Sequence, residues 1–588
     1  MSAAPAARWL GIAALVLAGL PAAAQRPPTP VADPIRRTLP LPAPPVASPL
    51  PAREAPAAVP DPAASPVLAI DRATLQGVSL LPADAFAQEL ADLAGRAVPA
   101  SEIEALRQAV LGRYRAAGYP YVAVTPVLRR APAEGAGELV LVVAEGYIAE
   151  VLLDGEIGPA AIQVLRFLDP LTRERPLSAA GLERAMLLVS DIPGVGARAL
   201  MRPVPREPGA FQLVVQLRRQ ASSWLFNLDN RGSPTTGRAQ MVAGVSLNSM
   251  TNLGERTDVS VLGTGDTLGR GQHFVQIGQE AFLGGSGLRV RAHAGRGNTL
   301  PDGVLEQVGY RGETQVLGLG LSYPVLRSRP ANLSLTAMVE AVDSRVLADL
   351  PPDGARGQVS EDRVRALRLG AEGNLRDALL PVGAAATTQG VLRLHQGLTA
   401  FGASDGSAPG TGRLGADFGF TKVTLDAVRS QPLLLLADGS VLGVQAMLGA
   451  QWTNDPLPLS EKYYLGGNRL GRGFYSGQVT GDRALGGSVE LQYTVAQESP
   501  GPEAGWAERL TRPDAQYYLF YDAGRSFEVL DRDPDRRLAS WGGGVRLTLA
   551  EHLLLELEGV SRLTRRPNGP LAETLPAQAV FGRATVRY

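Results

Sequence analysis

Residues 222–588 alternate apolar and polar side chains along many short segments, and this period of two constrains the fold more than any other feature. In 488–495, for example, Val489 falls on one face of the segment and Glu490 on the other. Such alternation is typical of β-strands with one apolar and one polar face. The same pattern recurs in the segments 288–294 and 553–558. The region is therefore predicted to consist of antiparallel strands.

A soluble β-sandwich would alternate in the same way, so the arrangement of the strands must distinguish the two architectures. Here the predicted connections alternate between short and long, and the last strand runs to the final aromatic residue, Tyr588. These features favour a transmembrane antiparallel β-barrel with lipid outside and water inside, in which closure satisfies every backbone polar group. At roughly 23 residues per strand and connection, residues 221–588 hold about 16 strands around an aqueous lumen. The connection 497–514 is long for a periplasmic turn, and the pattern does not account for its role.

Residues 67–220 show a different organisation, in which one small α/β unit occurs twice. The first unit spans 67–146 and the second 147–220, and each is predicted to run strand, helix, helix, strand, strand. Repetition of this kind indicates a modular array. The helices are predicted at 84–94, 101–117, 159–168 and 178–190. Ser101 followed by Glu104 predicts a capping box at the start of the second helix.

Two further segments precede the repeats. Residues 1–24 combine Arg8, an apolar run and a small-residue end, which predicts a secretory signal peptide. The alternative is a membrane anchor, but the apolar run is shorter than the roughly 20 residues that a membrane-spanning helix needs. Residues 25–66 are rich in proline and alanine and are predicted to form a linker, because proline removes backbone donors.

Composition excludes several classes of function. Lys and Arg together number 57, as do Asp and Glu, so the net charge of zero argues against a nucleic-acid partner. The absence of cysteine excludes disulfides, zinc–thiolate sites and cysteine nucleophiles. The histidines are scattered; His293 and His395 are expected to point into the lumen. Asp531, Asp533 and Asp535 have the spacing of a calcium loop but lack its glycine and its bidentate glutamate. We therefore predict no metal, no cofactor and no enzymatic activity.

The segment "LGGNRLGRGFYSG" at 465–477 falls in a long connection on the extracellular side. It is not a phosphate-binding P-loop, since Gly-Lys-Ser/Thr is missing and strands, not a strand and a helix, flank it. An ordinary solvated loop is the alternative. The many glycines and the bulky Phe474 favour a loop that folds back into the lumen.

Within this segment, "GRGFYSG" resembles the Val-Arg-Gly-Phe/Tyr motif of the sixth loop in the Omp85 superfamily. The matching residues are Gly471, Arg472, Gly473 and Phe474, with Gly471 where valine is usual. A later strand, "YLFYDAGRSF", resembles the family's Phe-x-Asp-x-Gly motif through Phe520, Asp522 and Gly524. The resemblance implies that Arg472 reaches into the barrel and pairs with Asp522. An arginine fork matches a carboxylate bidentately, so such a pair would hold the loop inside the lumen.

The two repeats resemble POTRA domains, whose order is β-α-α-β-β. Two such repeats ahead of a barrel that opens with "LDNRGSPTTGRAQ" are similar to the outer-membrane transporters of two-partner secretion, the haemolysin secretion/activation family. This implies localisation in the bacterial outer membrane, with the POTRA domains in the periplasm. Several members carry a helix that plugs the pore, but the prolines of 25–66 argue against one here.

The resemblance implies a monomeric translocator that recognises an unfolded, large secreted partner protein and exports it through the lumen without ATP. The sequence does not identify that cargo. A POTRA edge strand could accept an extended chain by β-augmentation. The segment "YPYVAVTPV" is the expected edge, although it reads equally well as a core strand; its candidate partner-binding residues are Tyr121, Val122, Val124 and Val127. The alternatives are an Omp85-type assembly or insertion factor, a passive diffusion porin and, as the weakest, an enzyme.

Overall fold

The computed structural model describes residues 67–82, 84–130, 137–265, 270–350, 355–380, 384–408, 410–496, 514–549, 552–570 and 572–588. The predicted signal peptide and linker lie outside these residues. Residues 497–513 of the long connection that follows the strand ending at Thr494 also lie outside them. None of the described helices is both long enough and apolar enough to cross a bilayer.

The first α/β unit is a four-stranded sheet covered by two helices. Its elements are β1 (Val67–Gln76), α1 (Ala87–Leu93), β2 (Arg96–Pro99), α2 (Ala100–Ala116), β3 (Val122–Arg130) and β4 (Gly137–Glu145). The strand order is β2-β1-β4-β3, with β1 parallel to β4. The apolar stripe of α2 faces the sheet, and Val110 and Tyr114 at its centre are fully buried.

The predicted capping box in this unit is wrong. Helix α2 begins at Ala100, its N-cap is Pro99, and no side chain caps it. Proline fixes φ near the helical value, so the chain enters the helix directly from the short strand β2, which the sequence analysis did not predict. Ser101 therefore lies inside the first turn, and Glu104 accepts hydrogen bonds from Arg107 at 2.6 and 2.7 Å instead.

One carboxylate fixes the end of β4 in the first unit. Glu145 accepts hydrogen bonds from the backbone N–H groups of Ser79 (2.9 Å) and Leu80 (3.2 Å) and from the hydroxyl of Tyr114 (2.6 Å). Burial opposes ionisation of this group, but these hydrogen bonds outweigh it and lower the pKa of Glu145 below 4.5.

The second unit repeats the topology without the short strand. Its elements are β5 (Tyr147–Asp154), α3 (Ala160–Arg173), α4 (Ala179–Ser190), β6 (Val195–Pro203) and β7 (Ala210–Arg219). The order is β5-β7-β6, with β5 parallel to β7. Ser178 caps α4 by accepting from the Gly181 N–H at 2.9 Å.

Sixteen antiparallel strands form a closed barrel, which confirms the predicted fold. They are β8 (Ser222–Asp229), β9 (Gln240–Asn248), β10 (Arg256–Thr264), β11 (Gly271–Phe282), β12 (Arg289–Leu300), β13 (Arg311–Arg327), β14 (Ala331–Leu350), β15 (Ala355–Asp377), β16 (Ala386–Gly397), β17 (Thr421–Leu435), β18 (Val441–Thr453), β21 (Arg483–Thr494), β22 (Asp514–Phe527), β23 (Arg536–Leu549), β24 (Leu553–Arg562) and β25 (Gln578–Arg587). Two short strands, β19 (Tyr463–Leu465) and β20 (Val479–Gly481), pair with each other apart from the barrel. A short helix, α5 (Val304–Gln307), joins β12 to β13.

The alternation of side chains sorts them between lipid and lumen. On β21, Val489 is 55% exposed on the outside, whereas its neighbour Glu490 is completely buried on the inside. The barrel closes where β25 pairs with β8, and Tyr588 and Trp224 exchange backbone hydrogen bonds of 2.8 and 3.0 Å at the end of this seam. Closure leaves no unpaired sheet edge in the lipid.

The second unit packs against the short turns at one end of the barrel. Asp191 after α4 accepts hydrogen bonds of 2.6 and 2.9 Å from Arg327, the last residue of β13. The rings of Phe167 on α3 and Phe282 on β11 meet edge to face at 5.1 Å between centroids. The resemblance of this unit to POTRA domains implies that this is the periplasmic end of the barrel and that the opposite end faces the outside.

Candidate functional site

The connection between β18 and β21, residues 454–482, enters the barrel, and we call it the lumen loop. It contains a 3₁₀ turn at Leu459–Glu461 and the hairpin of β19 and β20. The tip of the hairpin carries the segment singled out from the sequence. Leu465 and Phe474 are completely buried there, in an apolar cluster that includes Leu538 of the barrel wall.

Two glycines let the tip turn tightly and lie against the wall. Gly471 has φ of +82°, a conformation that side chains with a Cβ rarely adopt. This accounts for glycine where the resembling family has valine. Gly473 approaches β23 so closely that a Cβ would lie 2.6 Å from Cβ of Ser540. Its own N–H donates to the Ser540 hydroxyl at 3.3 Å.

The structure brings Arg472 and Asp522 together. The guanidinium of Arg472 donates to both carboxylate oxygens of Asp522, at 3.1 and 3.2 Å, and the Arg472 backbone N–H donates to the same carboxylate at 2.7 Å. The Arg472 guanidinium also donates to the Ser488 hydroxyl at 2.9 Å and forms an ion pair with Glu490. Phe520 lies beneath it, with the guanidinium carbon 3.7 Å from the ring centroid. Arg472 is only 3% exposed, so this is a buried pair.

The third residue of the predicted wall motif, Gly524, also borders the loop. A Cβ on Gly524 would meet the side chain of Leu465 at 3.0 Å, so its small size admits the hairpin. All seven predicted motif residues thus lie at this contact between loop and wall.

Further charged residues surround the pair, and sequence reasoning did not identify them as part of this site. Together with Asp522 they form what we call the wall cluster: Arg231, Glu490, Asp522, Arg546, Glu556, Glu558 and Arg583. With Arg472, this makes four cations and four anions. Arg546 bonds Glu490 at 2.5 Å and Glu556 at 2.9 Å. Arg231 pairs with Glu558 and donates to the Arg472 carbonyl. Balanced charge allows so many ionised groups to be buried together.

A usable sequence signal existed for part of this cluster. Glu556 and Glu558 lie on the polar face of an alternating segment, and Arg231 lies in the segment that opens the barrel. Period two assigns these side chains to the lumen, but it does not say which strands lie across the barrel from one another.

Other charged residues of the lumen loop are also attached to the barrel, among them Lys462, which pairs with Glu528 at 2.6 Å. Glu461 pairs with Arg368 of β15 and Lys422 of β17, both at 2.7 Å. Near the extracellular end, Arg413 forms a bidentate pair with Asp482 at 2.6 and 2.9 Å. The loop is therefore held to the wall at several points, mainly through side chains, and at Ser476 through a backbone N–H that donates to the Arg231 carbonyl at 2.9 Å.

The residues examined as metal candidates have other partners. Asp533 pairs with Arg413 at 3.0 Å and Asp535 with Arg525 at 3.3 Å. His293 lies 3.4 Å from Glu340, and His395 bonds Arg368 at 2.6 Å. Within the described ranges, no group of three or more potential ligands is arranged to hold a metal ion.

The segment proposed to bind a partner forms β3, at the edge of the first sheet. Val122 and Val124 are 3% and 5% exposed and pack in the core of the unit, while Val127 is 37% exposed. The ring of Tyr121 lies against Phe211 of the second unit, with centroids 6.4 Å apart. The strand is thus both a core strand and an edge, and its free edge consists mainly of backbone groups.

Comparisons with known proteins agree with this architecture. Residues 211–547 match the family described as haemolysin secretion/activation protein ShlB/FhaC/HecB. Residues 68–146 match the POTRA domain of ShlB type. The chain is 24% identical over 155 residues to the heme/hemopexin transporter protein HuxB of Haemophilus influenzae. That match covers 26% of this chain and spans about a quarter of the relative, 26% of its length.

Solved structures share the fold over nearly the whole chain. CdiB from Escherichia coli has a TM-score of 0.66 at 18% identity, covering 95% of each chain. CdiB from Acinetobacter baumannii has a TM-score of 0.58 at 16% identity, covering 92% of this chain and 95% of that one. Because the family match spans more than half of the 588 residues, the chain belongs to the haemolysin secretion/activation protein family ShlB/FhaC/HecB, the outer-membrane transporters of two-partner secretion.

Proposed function

We propose that this chain, as a monomer, exports one large partner protein through its barrel and takes no part in any catalytic step. The observation that carries the proposal is the lumen loop, which lies inside the barrel and is attached to the wall mainly through side-chain ion pairs and hydrogen bonds, not through a strand ladder. Ion pairs and hydrogen bonds can exchange for water or cargo contacts without breaking the barrel. Displacement of the loop would open the lumen to an extended chain.

The first α/β unit supplies a place for capture. Strand β3 pairs only with β4 among the described strands, so one of its edges offers backbone donors and acceptors. An extended cargo segment could add to this edge by β-augmentation. The exposed Val127 would contact its side chains, whereas Val122 and Val124 would act through their backbone. Folding of the cargo outside would then favour export by mass action, without ATP.

A disulfide that locks the lumen loop tests the export pathway. A Cβ on residue 486 would lie 3.7 Å from Cβ of Leu470, within the range for a disulfide. The chain has no cysteine, so Leu470→Cys/Gly486→Cys introduces the only pair. We expect oxidation to reduce cargo secretion at least tenfold and reduction to restore it. Each single-cysteine variant is the control. Normal secretion by the crosslinked protein would contradict the proposal.

One observation favours the rival function, insertion of membrane proteins. The seam between β25 and β8 pairs over only Leu225–Asp229 and Arg583–Arg587, and it is shorter than the other seams of the barrel. An insertion factor would open there. Register partners Leu228 and Ala584 can be changed to cysteine and crosslinked. We expect secretion to continue with the seam closed; loss of secretion would favour lateral opening.

A further inference from the structure

Three arginines lie side by side on the outer surface of the barrel near its extracellular end. Arg483 begins β21, Arg525 lies near the end of β22, and Arg537 begins β23. We call them the rim arginines. The neighbouring side chains of Ser526 and Leu538 are buried on the lumen side, at 0% and 2% exposure, so strand alternation directs the rim arginines outward.

Their arrangement is electrostatically unfavourable without a further anion. Arg525 and Arg537 are directly paired across the ladder of β22 and β23. Like charges in that position destabilise a sheet, since their Cβ atoms lie only about 5 Å apart. Arg483 faces Phe527 and is therefore the diagonal neighbour of Arg525, about 7–8 Å away.

Protein groups neutralise only part of this charge. Arg525, with a side chain 58% exposed, pairs with Asp535 at 3.3 Å and covers the Phe527 ring. Arg483 bonds Asn454 at 3.1 Å and lies over the Trp452 ring at 4.4 Å. Arg537 forms no ion pair with any residue in the described ranges. Three cations against one carboxylate leave a local charge of about +2 at neutral pH.

Their height on the barrel places the rim arginines at the level of lipid headgroups. Tyr521 and Trp541 are directly paired on the same outer face and are 50% and 52% exposed. Tyrosine and tryptophan concentrate at the boundary between hydrocarbon and water. Arg525 and Arg537 lie four residues further out, about 13 Å along the strands.

Several arginines elsewhere on the outer surface have carboxylate partners, although Arg296 on β12 has none among the described residues. Arg345 and Arg363 on β14 and β15 both pair with Glu361 at 2.9 Å. Arg365 pairs with Asp343 at 2.6 Å. What distinguishes β21–β23 is the direct cross-strand pairing of two arginines, Arg525 and Arg537.

We propose that the rim arginines bind the phosphate groups of a phosphorylated glycolipid in the outer leaflet. Arginine binds phosphate bidentately, and two opposed guanidinium groups can share one phosphate dianion. The aromatic pair below would contact the sugar–acyl boundary of the same lipid. Basic sites at the membrane surface commonly recognise anionic headgroups in this way. The site lies outside the lumen, so this inference does not depend on the direction of transport.

The test compares the full-length protein in nanodiscs with the variant Arg525→Gln/Arg537→Gln. Binding of bisphosphorylated lipid A, of its monophosphorylated form and of inorganic phosphate is measured by native mass spectrometry and titration. We expect the variant to bind bisphosphorylated lipid A at least tenfold more weakly, with unchanged thermal unfolding in discs without it. The matched control, Arg345→Gln/Arg363→Gln, should bind like wild type. Equal binding by both variants would overturn the proposal, as would inorganic phosphate that binds as tightly as the lipid.

Discussion

Removal of the Arg472 side chain should release the tip of the lumen loop from the barrel wall. Glu490 keeps Arg546 as a partner, and Glu558 keeps Arg231. Asp522 forms no ion pair with another cation among the described residues and is completely buried, so Arg472→Ala leaves its carboxylate uncompensated.

Breaking one partner of a buried pair destabilises by about 3–5 kcal/mol. We take the lower end, about 3 kcal/mol, because water in the lumen can reach Asp522 once the tip moves. At about 1.4 kcal/mol per factor of ten, the ratio of docked to released tip falls about 100-fold.

Amide hydrogen exchange of the purified protein in nanodiscs measures this ratio, because the tip amides exchange when it opens. The N–H groups of Gly467 and Phe474 are hydrogen-bonded within the tip, so their segment reports release. We expect protection over 466–476 to fall about 100-fold in Arg472→Ala. The control Arg469→Ala loses a partly exposed pair with Asp426, at 33% and 25% side-chain exposure, and should change protection less than about fivefold.

A double-mutant cycle tests whether the pair acts as a unit. We expect Asp522→Ala alone to resemble Arg472→Ala, and the double variant to lose about 4 kcal/mol rather than the sum of about 6. Asp522→Asn should have an intermediate effect, since it keeps one acceptor oxygen. Protection within threefold of wild type in Arg472→Ala, or full additivity in the double variant, would refute the reasoning.

Three further predictions concern other contacts. Gly473→Ala places a methyl group against Ser540 and should destabilise tip docking by about 1–3 kcal/mol, seen as faster exchange over 466–476; unchanged exchange would contradict the close approach. Asp191→Ala removes the bidentate partner of Arg327 and should increase exchange in the second unit without unfolding the barrel, which heat-modified gel mobility would verify. Glu145→Gln should lower the free energy of unfolding of the first unit by about 1 kcal/mol near pH 7. Because the pKa of this carboxylate is lowered in the folded protein, the difference in unfolding free energy from wild type should shrink as the pH falls below 4.5. A difference in urea unfolding that does not depend on pH would argue against a role for the ionised form.

The sequence by itself determined the architecture of the barrel, because a period of two assigns each side chain to lipid or lumen whatever the neighbouring strand is. Val489 and Glu490 are sorted by that rule alone, and the length of residues 221–588 predicted the number of strands. The sequence also predicted the α/β repeat, because the helical spacing of apolar residues on α2 marks the face of that helix that is buried. The sequence predicted the start of α2 at Ser101. The helix begins instead at Ala100, because the fixed φ of Pro99 at the N-cap leads the chain directly into it.

Only the tertiary structure decided which lumen groups meet. The pairing of Arg472 with Asp522 was expected from resemblance to a family, not from spacing, and the roles of Arg231, Glu490 and Glu558 were not expected at all. Residues 231 and 558 are far apart in sequence, and barrel closure alone brings them together. Local patterns fix the direction of a side chain, whereas its partner depends on register, curvature and the path of a loop, which are set by contacts between distant parts of the chain.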